Sequence, residues 1–232
     1  IKQLLRSPAE YWWNSPLNIH RESEPETPAK KFGQAYHTMI LEPQKFHYEV
    51  LKGQKSTTKA GCLGEEEYER IVDMAESINR VPEHAQLFKN GYPEVSVFWR
   101  DEETGLMCKV RFDYMRLKWI TDLKTSDDIY QSSVRYDFPR WGYDVSGAMY
   151  MEGSRQLKRM LNSNSCVISS GSFPSIDFAN FLDQYRHVDG ERFVFMFQGK
   201  KSPYLARALA MLDDVAAVGC EKFRRGLTIY AE

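Results

Sequence analysis

Two aspartates and a lysine between Arg111 and Lys124 hold the densest potential chemistry in this chain. The stretch reads Arg111-Phe-Asp-Tyr-Met-Arg-Leu-Lys-Trp-Ile-Thr-Asp-Leu-Lys124, as two adjacent strands that bring Asp113, Asp122 and Lys124 together. Side chains alternate along a strand, so Ile120, Asp122 and Lys124 share a face. Neighbouring carboxylates suit a hard divalent cation. An ammonium beside them offsets charge on a scissile phosphate or positions the attacking water. A chance Asp-x-Lys triplet on a surface strand pair makes only an ordinary ion contact, so the surrounding elements decide between the two readings.

Three strands are expected in succession. In Gly91 to Trp99, Val95, Val97 and Trp99 alternate with Glu94, Ser96 and Phe98. Asp101 to Gly105 has turn chemistry. From Leu106 to Met115, Cys108, Val110, Phe112 and Tyr114 fall on one face, with Lys109, Arg111 and Asp113 on the other. Glu94, early in the first strand, is within reach of the same metal. Upstream, Thr27-Pro28 opens a helix over Pro28 to Leu41, with Phe32, Tyr36, Met39 and Ile40 as its apolar stripe and His37 beside it.

Asp113 with Asp122-Leu123-Lys124 resembles the acid and D-X-K elements of the PD-(D/E)XK nuclease superfamily. Phe32-Gly-Gln-Ala-Tyr-His37-Thr-Met-Ile-Leu-Glu-Pro43 resembles the "G-x-x-x-H-x-x-x-L-E-P" opening of its RecE (exodeoxyribonuclease VIII) branch. Leu4 to Tyr11 looks like the branch's "S-P-A-x-Y" helix, and Phe193 to Tyr204 like its late strand pair. The branch usually carries a "Q-x-x-x-Y" helix element. Here Tyr150 matches the tyrosine, but Ser146 stands in the glutamine's place. Residues four apart share a helix face, and the shorter serine spans the gap only through a water. Weaker activity, a different grip on substrate, or an engineered or diverged site all remain open.

The resemblance implies an α/β fold with a three-layer PD-(D/E)XK core, its mixed central sheet flanked by helices. It implies Mg²⁺, with Mn²⁺ as substitute, held by Glu94, Asp113, Asp122, the Leu123 carbonyl and His37. Lys124 would orient or activate the water, while Tyr150 and Ser146 hold DNA. It also implies 5′→3′ digestion of double-stranded DNA ends, leaving 3′ tails for a single-strand annealing recombination protein. A ring-shaped homo-oligomer, trimer or tetramer, is expected in the cytoplasm of a bacterial host, with a phage or prophage origin. A non-catalytic DNA-binding or assembly protein on the same fold, and a nuclease preferring single strands, are the rival readings.

The 232 residues suffice for one sizeable domain spanning 1–232. No stretch reads as a membrane span or secretory signal. Cys62, Cys108, Cys166 and Cys220 form no close pair, which disfavours a zinc or iron–sulfur clasp and fits free thiols in a reduced compartment. The net charge of −1 does not advertise nucleic-acid binding, so any DNA grip must come from local cations. Candidates are Lys30-Lys31, Arg155 with Lys158-Arg159, Lys200-Lys201 and Arg224-Arg225. Arg111 and the Arg155–Arg159 helix are preferred, since Arg111 shares a strand face with Asp113.

Other expected elements are a helix over Ile1 to Trp13, a polar loop over Asn14 to Glu26, and a strand-like run over Phe46 to Leu51. A loop over Lys52 to Leu63 leads into a helix over Gly64 to Arg80. Beyond the D-X-K strand come helices over Asp127 to Tyr136 and Trp141 to Leu161. A linker over Asn162 to Ser175 encloses a possible strand at Cys166 to Ile168. Strands over Arg192 to Gln198 and Tyr204 to Ala208 precede a closing helix over Leu212 to Leu227.

Overall fold

The computed structural model describes residues 1–21, 27–46, 64–165 and 175–232. The expected runs at 47–51 and 166–168, the loop at 52–63, the end of the polar loop at 22–26, and Cys62 and Cys166 lie outside the described residues. Cys108 and Cys220 are free.

The opening helix is two helices, α1 (Lys2–Arg6) and α2 (Pro8–Trp13). Ser7 between them has extended backbone, and its hydroxyl accepts the Glu10 N–H at 3.2 Å. A residue before proline is steered out of helical geometry, whereas proline suits a helix start. α3 (Pro28–Leu41) has the expected bounds, with the Thr27 side chain accepting from Lys30 N–H. α4 (Pro43–Lys45), α5 (Glu65–Asn79) and α6 (Pro82–Gln86) follow.

β1 (Tyr92–Arg100), β2 (Met107–Met115) and β3 (Trp119–Ser126) form the expected antiparallel meander. β4 (Arg192–Gly199) lies parallel to β3, and β5 (Ala206–Ala210) pairs antiparallel with β4, giving the order β1-β2-β3-β4-β5. α7 (Gln131–Arg140) begins four residues later than expected. Asp128 accepts from Tyr130 N–H and the Ser133 hydroxyl, and such local bonds compete with helix. α8 (Tyr143–Asn162) and α10 (Asp213–Ala231) are close to expectation. α9 (Ile176–Tyr185) was not anticipated, although Ser175 caps it and Phe178, Phe181, Leu182 and Tyr185 have helical spacing.

The sheet lies between two helical layers, a mixed central sheet flanked by helices as expected. Phe193, Phe195 and Phe197 of β4 face a core shared with Leu157 of α8, Tyr185 of α9 and Phe223 of α10. Val194 and Met196 face the other way, onto Phe32, Tyr36, Ile71 and Met74 from α3 and α5. A strand buried on both faces reads as a continuous apolar run, as this one does.

One feature of β1 and β2 departs from simple alternation. Tyr92 and Val95 pack on the same core although three residues apart, and so do Phe112 and Met115. Tyr114 was expected to share a face with Phe112. Its ring meets Phe88, which packs with the α3–α5 core, and its hydroxyl bonds to Gly91 O. The faces exchange at Glu94, whose φ is +55°. That left-handed backbone is uncommon for a residue with a Cβ.

Candidate metal centre

The exchange of faces opens a gap in the sheet. β2 and β3 pair only at Tyr114↔Thr121 and Met115↔Ile120. Past that point Asp113 bridges the strands, its Oδ2 accepting the Leu123 N–H at 2.7 Å. Glu94 sits opposite Asp113, between the pairs Pro93↔Tyr114 and Val95↔Phe112. Arg111 Nε holds Glu94 Oε2 at 2.8 Å. From α3, His37 Nδ1 comes to 3.8 Å from Asp113 Oδ2. One donor atom each from His37, Glu94 and Asp113 lies within 4.8 Å of the others. Ligands about 2.1–2.5 Å from a single ion have mutual separations of this size.

Asp122 is not one of this trio. It is fully buried, its Oδ2 is 2.5 Å from Lys124 Nζ, and neither of its oxygens has a well-formed hydrogen bond. Burial pushes its carboxyl up to about 6, with Lys124 opposing and Asp113 assisting that rise. Burial likewise raises Asp113 and Glu94, against the pull of Lys124 and Arg111 respectively. Lys124 would be lowered by burial, but Asp122 and Asp113 outweigh this and hold it above the ordinary lysine range. His37 is pushed down to about 4, first by burial and then by Lys124, although Asp122 and the Leu123 backbone oppose the fall. His37 is therefore neutral at pH 7 and offers a lone pair. Three carboxylates that burial disfavours and a neutral imidazole form a donor set suited to a divalent cation such as Mg²⁺ or Mn²⁺.

A family model described as a PDDEXK-like domain of unknown function (DUF3799) matches residues 1–185. The chain belongs to this PDDEXK-like family. Among solved structures, the chain is similar to a presumed exonuclease from Eubacterium rectale. That likeness has a TM-score of 0.57 and 18% identity, covering 90% of this chain and 70% of that one. It extends the shared fold beyond residue 185. No curated protein matches the chain. A nuclease-like fold with a candidate His–Glu–Asp metal site is consistent with hydrolase chemistry of the PD-(D/E)XK kind.

The PDDEXK-like site gathers some expected residues and leaves others apart. Arg111, Asp122 and Lys124 adjoin the trio. Leu123 enters through its N–H, bonded to Asp113. Tyr150 lies beside the centre, its ring against Phe112 and Phe193 and its hydroxyl raised by burial and then by Asp122. Ser146 bonds back to Gly142 O in its own helix at 3.4 Å. Lys158 is tied to Glu191 and Val188 O, with only 15% of its side chain exposed. Arg155 pairs with Glu152 on the same helix, and Arg159 lines a pocket with Asp101, Glu102 and Glu103 at the far end of β1. Of the other cation pairs, Lys200 meets Asp127, and Arg224 meets Asp101 and Glu103. Lys30 lines the cavity of about 450 Å³ that opens onto His37 and Glu94.

Sequence reasoning missed Lys2 and Tyr143. Lys2 Nζ lies 5.5 Å from the Tyr143 ring centre, and both groups sense the charges of Lys124 and Asp122. Spacing gave no sign of this, because α1 reaches the centre only through its packing on α10 and the start of α8.

Proposed function

We propose that this chain is a Mg²⁺-dependent deoxyribonuclease that digests linear duplex DNA from its ends. The observation carrying this reading is the meeting of His37, Glu94 and Asp113 beside Asp122, a buried carboxylate paired with Lys124. His37, Glu94 and Asp113 would hold a divalent cation, which would lower the pKa of a water and offset charge on the scissile phosphate. Asp113 is aimed by the Leu123 N–H, and Glu94 by Arg111. Lys124, held protonated by Asp122 and Asp113, acts as a cation toward a phosphate oxygen or orients the water through its N–H bonds.

The His37 motif supports the finer reading taken from the RecE branch. In that reading digestion runs 5′→3′ and leaves 3′ tails for a single-strand annealing protein, and the enzyme is a ring-shaped homo-oligomer. The test uses linear and circular duplex with Mg²⁺, each linear strand labelled at one end, with single strands in parallel. Linear duplex should be lost from its 5′ ends while circles survive. Asp122→Ala and Lys124→Ala should each slow digestion by about a hundredfold or more, the scale for removing a group that stabilises transition-state charge. Undiminished cleavage in both variants would end this mechanism, and loss from the 3′ label first would end the stated direction.

A further inference from the structure

Beside the metal centre lies a second cavity, of about 560 Å³, between α1, the end of α7, the start of α8 and α10. Lys2, Arg6, Arg140 and Lys222 line it, against only two carboxylates, Glu10 and Asp144. Trp141, on the cavity wall, is 52% exposed, with the Arg140 guanidinium 5.2 Å from its ring centre. Asp144 is 5% exposed. Its Oδ2 takes Lys222 Nζ at 2.5 Å, but its buried Oδ1 has no hydrogen-bond partner. Such an oxygen is costly unless an N–H or O–H donor reaches it. Lys2 on the cavity wall is close enough to the centre to interact with the charges of Lys124 and Asp122. Gly142 lets Lys2 pack there: its φ is +59°, and a Cβ would come within 3.3 Å of the Lys2 stem.

We infer that this cavity binds one unpaired nucleotide of a nucleic-acid strand, with its phosphate on Lys2 and Arg140, its base on Trp141, and one donor to Asp144 Oδ1. The three needs of a nucleotide differ in chemistry, and the cavity has one group for each. A cationic wall draws phosphate, an indole offers a stacking face, and the orphaned carboxylate oxygen accepts from an amino group or hydroxyl. An inorganic anion would leave Trp141 and Asp144 unused. The inference deepens the proposed function and takes from it that nucleic acid is the substrate.

The test is fluorescence anisotropy of a labelled single-stranded 15-mer, about the length of a few OB-sized sites, bound to the full chain in EDTA. Without metal the readout reports strand binding alone, separately from the cleavage that tests the proposed function. Trp141→Ala should weaken binding about tenfold, the scale of one base–aromatic stack. An abasic strand should bind the wild type more weakly than a normal strand, and Trp141→Ala should erase that difference. The double variant Lys2→Gln/Arg140→Gln should flatten the dependence of log affinity on log salt by about 1.4, the value for two phosphate contacts on a single strand. Arg80→Gln, on an exposed pair at the end of α5, should change nothing. Thermal denaturation checks that each variant is folded. Wild-type affinity in both cavity variants, equal binding of abasic and normal strands by the wild type, or no strand binding by the wild type would each overturn the inference.

Discussion

On one face of the sheet a buried charge cluster is complete, and in the gap between β2 and β3 another is not. Glu191 accepts from Lys158 and from the Ser154 hydroxyl, which also meets Tyr185 Oη at 2.6 Å. Burial pushes Glu191 up, but those hydrogen bonds outweigh it and hold the carboxyl below its ordinary value. Asp122 is more deeply buried, and Lys124 is its neighbour as Lys158 is the neighbour of Glu191, yet its carboxyl stays raised to about 6. The first cluster tethers α8 to α9 and to the approach to β4. In the second, burial outweighs the pull of Lys124, so the carboxyl is held less firmly in its charged form.

Neutralising each acid should break the comparison to different extents. Glu191→Gln strands Lys158 in a largely buried position and should cost about 3 kcal/mol of stability, the scale for removing one partner of a buried pair. Chemical denaturation at pH 7 measures it, and an unchanged midpoint would show that the complete cluster is not a tether. Asp122→Asn relieves a buried carboxylate but leaves Lys124 with Asp113 as its remaining anion, so in EDTA it should cost less stability than Glu191→Gln. With Mn²⁺ present the wild type should gain more stability than Asp122→Asn, which has lost a negative charge beside the cation.

The pH dependence sharpens the same contrast. The folded pKa of Asp122 lies above its unfolded value of about 4, so its contribution is full below about pH 4 and is lost as pH rises through about 6. Metal-free wild type should therefore lose stability between about pH 4 and 6 relative to Asp122→Asn. Glu191 is depressed, so its contribution is present above the ordinary carboxylate range and is lost as pH falls through its lowered pKa. Melting curves from pH 3 to 7 for wild type and the two variants separate the contributions. The smallest effect belongs to Arg155→Ala. Its exposed pair with Glu152 should be worth about 0.5 kcal/mol or less, and its loss should leave DNA digestion unchanged.

The β1–β2–β3 meander, α3 and β4 were legible because alternation and helical periodicity recur there over many residues. The site around the trio was legible in part. Asp113 and Asp122-Leu123-Lys124 are close in sequence, and His37 carried its own motif. Three things were not. The exchange of faces at Glu94 follows from one backbone torsion that no residue type announces, so Tyr114 was placed on the wrong side. The fate of Lys158 depends on Glu191, 33 residues away, and helix position alone made it look like a free cation. Lys2 reaches the centre because α1 packs on α10 and against Gly142, contacts that local pattern does not encode. α9 was legible in its Phe178, Phe181, Leu182 and Tyr185 spacing and was overlooked.

The torsion at Glu94 has a consequence for how this position can change over generations. Left-handed geometry favours glycine first, then asparagine or aspartate, so random drift there is rewarded with easier folding. Glycine would bring that relief and erase a donor of the trio in the same step. Asparagine would keep an oxygen but not its charge. Aspartate would keep the charge on a side chain one carbon shorter. Among natural variants, the residue found at this position should therefore sort chains that still need their cation from chains that have given it up.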